Sequence, residues 1–231
     1  MRFENKVAMV TGASVGIGRA CTVRFAKEGA KLVLLDINAE QLEKVREEVA
    51  PYTTEVLTYT CDASDEAAVN AAVADAMQHF GRIDILINNA AIWRTWKTFM
   101  EVTTEEWKRF LDINVMGVVY CTRAVLGSMI ANHYGRIVNV ASVACVYVNG
   151  HMSHYSATKG AVISLTAALA KEVAKDGVLV NCVSPGTVSS SEDADMDAYT
   201  PCELCYMERS GTDNENANLI CFMASDEATY I

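Results

Sequence analysis

Short apolar runs alternate with longer amphipathic stretches along almost the whole chain. Residues 6–10 (KVAMV), Lys31–Asp36 (KLVLLD), 55–60, 83–88 (IDILIN), 136–140 and Val178–Val183 read as strands. Between them lie helical stretches: one running through Lys27 and stopped by Gly29, then Ala39–Val49 closed by Pro51, 64–80 ended by Gly81, and 153–174. Thr103 and Glu106 have the spacing of a capping box and open a long helix to about Ala131. The strands are nearly continuous in apolar residues, as parallel strands covered on both faces are. This rhythm predicts an α/β fold: a Rossmann-like, doubly wound parallel sheet in a three-layer α/β/α arrangement. No linker, repeat or low-complexity tract interrupts it, so residues 1–231 form a single domain. Only 189–199, rich in Ser, Asp and Glu, breaks the pattern, as either a solvated loop or a mobile lid.

Composition narrows the partners. Hydrophobic residues make up 51% and charged residues 21%, which is globular. The formal net charge of -10 argues against an electrostatic grip on nucleic acid or anionic lipid. The first residues, carrying Arg2 and Glu4, lead straight into a strand and do not form a signal peptide. No apolar run approaches the ~20 residues of a membrane span. Eight cysteines are scattered, most of them inside apolar runs where a free thiol behaves as a small hydrophobe. A cytoplasmic, reducing location follows as the expectation.

The segment TGASVGIG, residues 11–18, lies between a strand and a helix. Gly12 permits a sharp turn, Gly16 lets backbone approach a pyrophosphate, and Gly18 lets the helix start close to the sheet. Ser14 and Ile17 fall in the same loop. The first turn of the helix then offers unpaired N–H groups and a positive dipole end to phosphates. Asp36 ends the next strand, eighteen positions after Gly18, where a carboxylate accepts from an adenosine ribose and repels a 2′-phosphate. NAD(H) is therefore favoured over NADP(H), with Arg19 the one nearby cation that speaks against it.

A second cluster is YSATK, with Tyr155 and Lys159 one helical turn apart on one face. A free tyrosine titrates near ~10, and a neighbouring ammonium favours the phenolate, giving a usable acid or base. Ser142 follows the fifth strand, and Asn88 and Asn89 end the fourth, all at the carboxyl edge where open α/β sheets bind ligands. Asn114 sits inside the long helix, in DINVMG, where a local bulge can turn a polar group toward a site.

Taken together, TGASVGIG, Asp36, CDA at 61–63, NNAA at 88–91, Asn114, Ser142, YSATK and PGTV at 185–188 resemble the classical short-chain dehydrogenase/reductase family, in the family's order. The resemblance implies an enzyme that interconverts a secondary alcohol and a ketone. Tyr155 would be the acid/base, Ser142 would orient the substrate oxygen, and Asn114 would hold a water in a proton relay. Lys159 would bind the nicotinamide ribose and depress the tyrosine pKa. Asp62 and Ala63 would lie against the adenine, Asn89 and Ala90 near the adenosine ribose, and Pro185, Gly186 and Val188 along the nicotinamide. The family also implies a homodimer or homotetramer built through its long fourth and fifth helices. A catalytically silent nucleotide sensor is the rival reading, and the intact Tyr155 and Lys159 count against it.

Three departures stand out. Ala91 replaces a usual Gly, and Ser190 a usual Thr. The chain ends at ATYI, where the family continues through a glycine-containing turn, a seventh strand and a short tail. If that strand is absent from the protein, an exposed sheet edge and lower stability are expected.

For the substrate, Trp93, Trp96 and Phe99 lie past the fourth strand, with Arg94 or Lys97 available for an anion and Tyr147 extending the wall. These favour a neutral or bulky carbonyl compound; a hydroxysteroid, a sugar or polyol, and a 3-oxoacyl compound stay open. No metal is expected. Cys202 and Cys205 form a CxxC without a second pair at metal spacing, so neither metal nor redox function is expected there. His151 and His154 are expected to line the site or face solvent.

Overall fold

The computed structural model describes residues 1–93, 96–147, 150–190 and 195–231. The strands are β1 (Val7–Thr11), β2 (Lys31–Asp36), β3 (Val56–Thr60), β4 (Ile85–Asn88), β5 (Gly135–Val140) and β6 (Val178–Val183). They form one parallel sheet in the order β3-β2-β1-β4-β5-β6. The helices are α1 (Gly16–Lys27), α2 (Ala39–Val49), α3 (Glu66–Phe80), α4 (Thr104–Leu111), α5 (Gly117–Ala131), α6 (Ser153–Val173) and α7 (Asp213–Met223).

Alternation within the buried strands sends side chains to two cores. Ala8 and Val10 of β1 meet Cys21 and Phe25 of α1, Leu42 and Val45 of α2, and Ile220 and Cys221 of α7. Val7 and Met9 turn to the other face, against Val69 and Val73 of α3 and Cys121, Val125 and Met129 of α5. A sheet covered on both faces is thus the doubly wound α/β/α fold. Its strand order reverses between β1 and β4, which opens a crevice at their carboxyl ends.

Some readings of the sequence change here. Strands starting at 6, 55 and 83 begin one or two residues later. Before β4, Asp84 is buried, accepting from Val7 N at 2.9 Å and from Arg82 Nε at 2.6 Å. The helix α7, unread in the sequence, packs on α1 and is opened by a Thr212–Glu215 capping box. The run from Thr104 to Ala131 is continuous through a π-turn at Asp112–Met116 and is long and apolar enough, by length and composition, to cross a membrane. Its length corrects the expectation of short apolar runs. One side of it is core, through Val118, Cys121, Val125 and Met129.

Candidate active site

The glycine loop is held from three sides. Gly12 has φ +61°, and a Cβ there would sit 2.9 Å from Ala90 Cα. Gly18 is tighter still: a Cβ would fall 1.9 Å from Gly12 O. Asn89 locks the loop from β4, its amide donating to Thr11 O at 3.2 Å and Gly12 O at 3.0 Å. Thr11 Oγ1 accepts in return from Asn89 N at 3.0 Å and Ala90 N at 3.1 Å. Side chains cap α2, α3, α4 and α7, yet the N-cap residue of α1, Val15, supplies no side-chain cap, and the first turn of α1 carries no acid. Its first N–H groups therefore open onto the crevice with no competing acceptor from Val15 or the first turn, a cradle suited to a pyrophosphate.

The crevice is one cleft of about 1220 Å³. Gly12, Gly16, Ile17 and Asp36 line it. So do Asp62, Ala63, Asn89 and Ala90, and Pro185, Gly186 and Val188. Ser142, Tyr155 and Lys159 line the same cleft, as do Trp93, Trp96 and Tyr147. Ser14 and Gly18 do not line this cleft. Ser14 N donates to Asp36 Oδ2 at 3.0 Å, and Gly18 presses on Gly12, so both support the loop from behind. Asp36 also accepts from Asn38 N at 3.0 Å. Arg19 is engaged by Glu48 at 2.7 and 3.1 Å, so the nearest cation is already paired. Asp62 Oδ1 accepts from Ser64 N and Oγ, at 2.9 and 2.7 Å. Ser190 lines the cleft beside Gly16 and donates to Asp213 at 2.5 Å. Arg94 lies outside the described residues.

The four chemical residues are set by separate devices. The π-turn carries Asn114, 1% exposed, behind the cleft wall. Its Oδ1 accepts from Ile92 N at 2.8 Å, while Nδ2 donates to Ile92 O at 3.0 Å and Thr158 Oγ1 at 3.1 Å. Both amide hydrogens are thus used, and the side chain braces the post-β4 loop against α6. Ser142 Oγ accepts from Ala144 N at 3.1 Å and hydrogen-bonds Tyr155, which lowers the phenol's pKa. Burial is the larger influence and raises Tyr155 above its ordinary value. This departs from the expectation that Lys159 sets that pKa. Lys159 Nζ donates to Val140 O at 2.7 Å and stands 5.9 Å from the Tyr155 ring centroid. Its own burial pulls it from 10.5 down to about 8.

A stability test follows from that buried amine. The shift is worth about 3 kcal/mol against folding, and the Val140 bond returns about 1. Lys159→Met should therefore raise the Tm of the cofactor-free chain at neutral pH by several degrees while turnover collapses. Between about 8 and 10.5 the unfolded chain keeps the lysine proton that the folded chain has shed. The wild-type penalty is full below this window and fades across it, so the variant's advantage should shrink as the pH rises. A Tm that falls at neutral pH would show that the amine is not a buried burden.

Several residues sit elsewhere than expected. Asn88 turns into the core, donating to Thr122 Oγ1 at 3.1 Å and Asn139 Oδ1 at 2.8 Å. His154 neither lines the cleft nor faces solvent; it is buried edge-on to Phe110 at 4.3 Å and Trp107 at 6.0 Å. Next to Tyr155 on α6, it points about 100° round the helix toward α4. Exposed His151 stacks on Trp96 at 5.9 Å. Lys108 and Arg109 of α4 also line the cleft, which the sequence reading missed. Phe99 packs edge-on to Trp107 at 6.1 Å and is not a lining residue.

Comparison with known proteins agrees with this geometry. Residues 6–199 match the family described as short chain dehydrogenase. The chain is 36% identical to a 3-oxoacyl-[acyl-carrier-protein] reductase of Thermotoga maritima, covering 100% of this chain and 95% of that protein. It is 37% identical to a 2-dehydro-3-deoxy-L-rhamnonate dehydrogenase (NAD(+)) of a Sphingomonas species, over 99% of this chain and 92% of that protein. The crystal structure of an NAD+-bound xylitol dehydrogenase superposes with a TM-score of 0.92 at 32% identity, covering 100% of this chain and 96% of that one. The chain is a nicotinamide-dependent oxidoreductase of CH–OH and C=O groups, and NAD(H) is favoured over NADP(H), as in the NAD+-bound solved relative. On its matched span and its relatives alike, the chain belongs to the short-chain dehydrogenase family.

Proposed function

We propose that the chain oxidises a neutral or bulky secondary alcohol to its ketone, or runs the reverse, with Tyr155 as the proton-exchanging group. The observation that carries this reading is that Ser142, Tyr155 and Lys159 line the same cleft as the glycine loop and Asp36. Gly12, Gly16 and the open first turn of α1 hold the pyrophosphate. Asp36 takes the adenosine ribose, Asp62 and Ala63 flank the adenine, and Pro185, Gly186 and Val188 lie along the nicotinamide. When bound, NAD(H) supplies the hydride acceptor or donor.

In oxidation Tyr155 takes the hydroxyl proton; in reduction it returns one to the carbonyl oxygen. Ser142 orients that oxygen. The Lys159 ammonium would hold the nicotinamide ribose. Asn114 fixes the backbone through which a relay water is held. Trp93, Trp96 and Tyr147, 53%, 64% and 79% exposed, offer apolar surface in the cleft for a substrate's bulk. Kinetics on cyclic alcohols, polyols, hydroxysteroids and hydroxyacyl thioesters test this reading. A kcat/KM preference for a neutral cyclic or polyol substrate supports it; a preference for the thioester overturns the substrate assignment.

The cofactor preference has its own test. Removing the Asp36 carboxylate deletes a charge-assisted acceptor worth about 1.5–3 kcal/mol, so Asp36→Ala should cut the NAD/NADP ratio of kcat/KM by about 10- to 100-fold. Asp36→Asn keeps an acceptor for Ser14 N or Asn38 N and separates this effect from loop damage. An unchanged ratio in both variants would mean that the ribose is read elsewhere.

The protein works as a homodimer or homotetramer in the cytoplasm. The apolar run Thr104–Ala131 supports the assembly, since only 39% of its most apolar window is buried in the monomer. Light scattering at micromolar concentration tests it, and a monomer would contradict it.

A further inference from the structure

The loop between β6 and α7 brings two thiols into contact. Cys205 N donates to Cys202 O at 3.1 Å, closing a tight turn, and Cys205 Sγ donates to Cys202 Sγ at 2.8 Å. The turn is clasped outside by Cys202 N to Glu208 O at 3.0 Å and by the Pro201–Arg209 bridge. A turn of this kind keeps its end Cα atoms within about 7 Å, which spans the separation a disulfide requires. Both thiols are partly exposed, within reach of a small oxidant. Cys21 and Cys221 also touch, but both are buried, where no oxidant arrives. Thr187 lines the cleft, and its side chain interacts with both sulfurs of the 202–205 pair, lowering both thiols' pKa. Thr187 belongs to PGTV, and its carbonyl accepts from Gly211 N at 2.9 Å.

We propose that Cys202 and Cys205 are a reversible redox modification site, oxidised by a low-molecular-weight disulfide and linked to the cleft through Thr187. The sequence, with its lone CxxC, argued for no redox role; contact between the sulfurs and with Thr187 changes that reading. The Cys202 thiolate attacks one sulfur of the small disulfide, whose S–S bond breaks, and the departing thiolate takes up the proton that Cys202 released. The Cys205 thiolate then attacks the Cys202 sulfur of the mixed disulfide. The Cys202–Cys205 bond forms, and the second small thiol leaves with the Cys205 proton. Two protein thiols are oxidised by two electrons, and one small disulfide becomes two thiols. The pair's neighbours favour Cys202 as the attacking group: Cys205 donates to it and lowers its pKa, while Cys205 is itself raised. Oxidation removes the thiol partners of the Thr187 hydroxyl and loosens that part of the cleft wall.

The test treats the 231-residue chain with oxidised glutathione, then maps disulfides by mass spectrometry after alkylation and measures the NADH Kd by fluorescence. The expected product is a peptide linked between Cys202 and Cys205, two hydrogens lighter, with no glutathione retained and full reversal by dithiothreitol. Losing the thiol interaction at Thr187 should weaken NADH binding by about threefold. Cys205→Ser should instead retain one glutathione on Cys202, with basal turnover intact. A pair that stays open to alkylation in both proteins would overturn the site. A disulfide that forms with NADH affinity unchanged would overturn its link to the cleft.

Discussion

Tyr155→Phe should lower turnover by on the order of a thousandfold while leaving the NADH Kd within about twofold. Only the phenol oxygen is lost, and that atom is the one hydrogen-bonded to Ser142 in the cleft. The ring keeps its place on α6, so the wall of the cleft survives. Steady-state kinetics paired with fluorescence titration separates the two effects. Burial holds the phenol above its ordinary pKa, so at neutral pH it is protonated and ready to act as an acid. Wild-type reduction should accordingly hold its rate at neutral pH, and oxidation, which needs the phenolate, should climb as the pH rises. Loss of NADH binding in the variant would mean that the phenol is a structural group.

Gly18→Ala should be nearly as damaging by a different route. Its Cβ would fall 1.9 Å from Gly12 O and 2.6 Å from Asn89 Nδ2, with neither backbone nor the locked amide free to retreat. The glycine loop has to shift, at about 3 kcal/mol, which for a chain of this size is about 10 °C in Tm. NADH binding should fall below detection, because the shifted loop no longer presents the first turn of α1. Gly127→Ala is the control: a Cβ there meets nothing within 4 Å, and alanine favours a helix interior. Calorimetry and NADH titration of both variants decide the matter; a Gly18→Ala chain that binds NADH normally would show the loop to be pliable.

Much of this was legible in sequence because buried parallel strands and capped helices leave strong local marks. Lys31–Asp36, Ala39–Val49 and Val178–Val183 have the same limits in both readings. The bulge at Asn114 was readable too, since an Asn inside an apolar helix needs partners. Helix α7 was missed although its signals are present: Thr212 and Glu215 at capping-box spacing, then Ala217, Ile220, Cys221 and Ala224 on one face. What could not be read are the links between distant segments. Nothing local says that Asn89 donates to the glycine loop 77 residues earlier, or that Lys159 reaches Val140 O. Nor does it say that Glu48 occupies Arg19, the cation that had weakened the case for NAD. Asn114 likewise has its amide hydrogens spent on Ile92 and Thr158, a fact only the folded chain reveals.

The most direct test of the central claim follows the hydride itself. The chain is incubated with NAD+ and a mixture of secondary alcohols carrying deuterium on the carbinol carbon, and the reduced nicotinamide is weighed by mass spectrometry. Deuterium in the reduced cofactor, absent when Tyr155→Phe replaces the wild type, is the expected result. No reduced cofactor, or reduced cofactor without deuterium, would contradict the assignment of this cleft to alcohol–ketone hydride transfer.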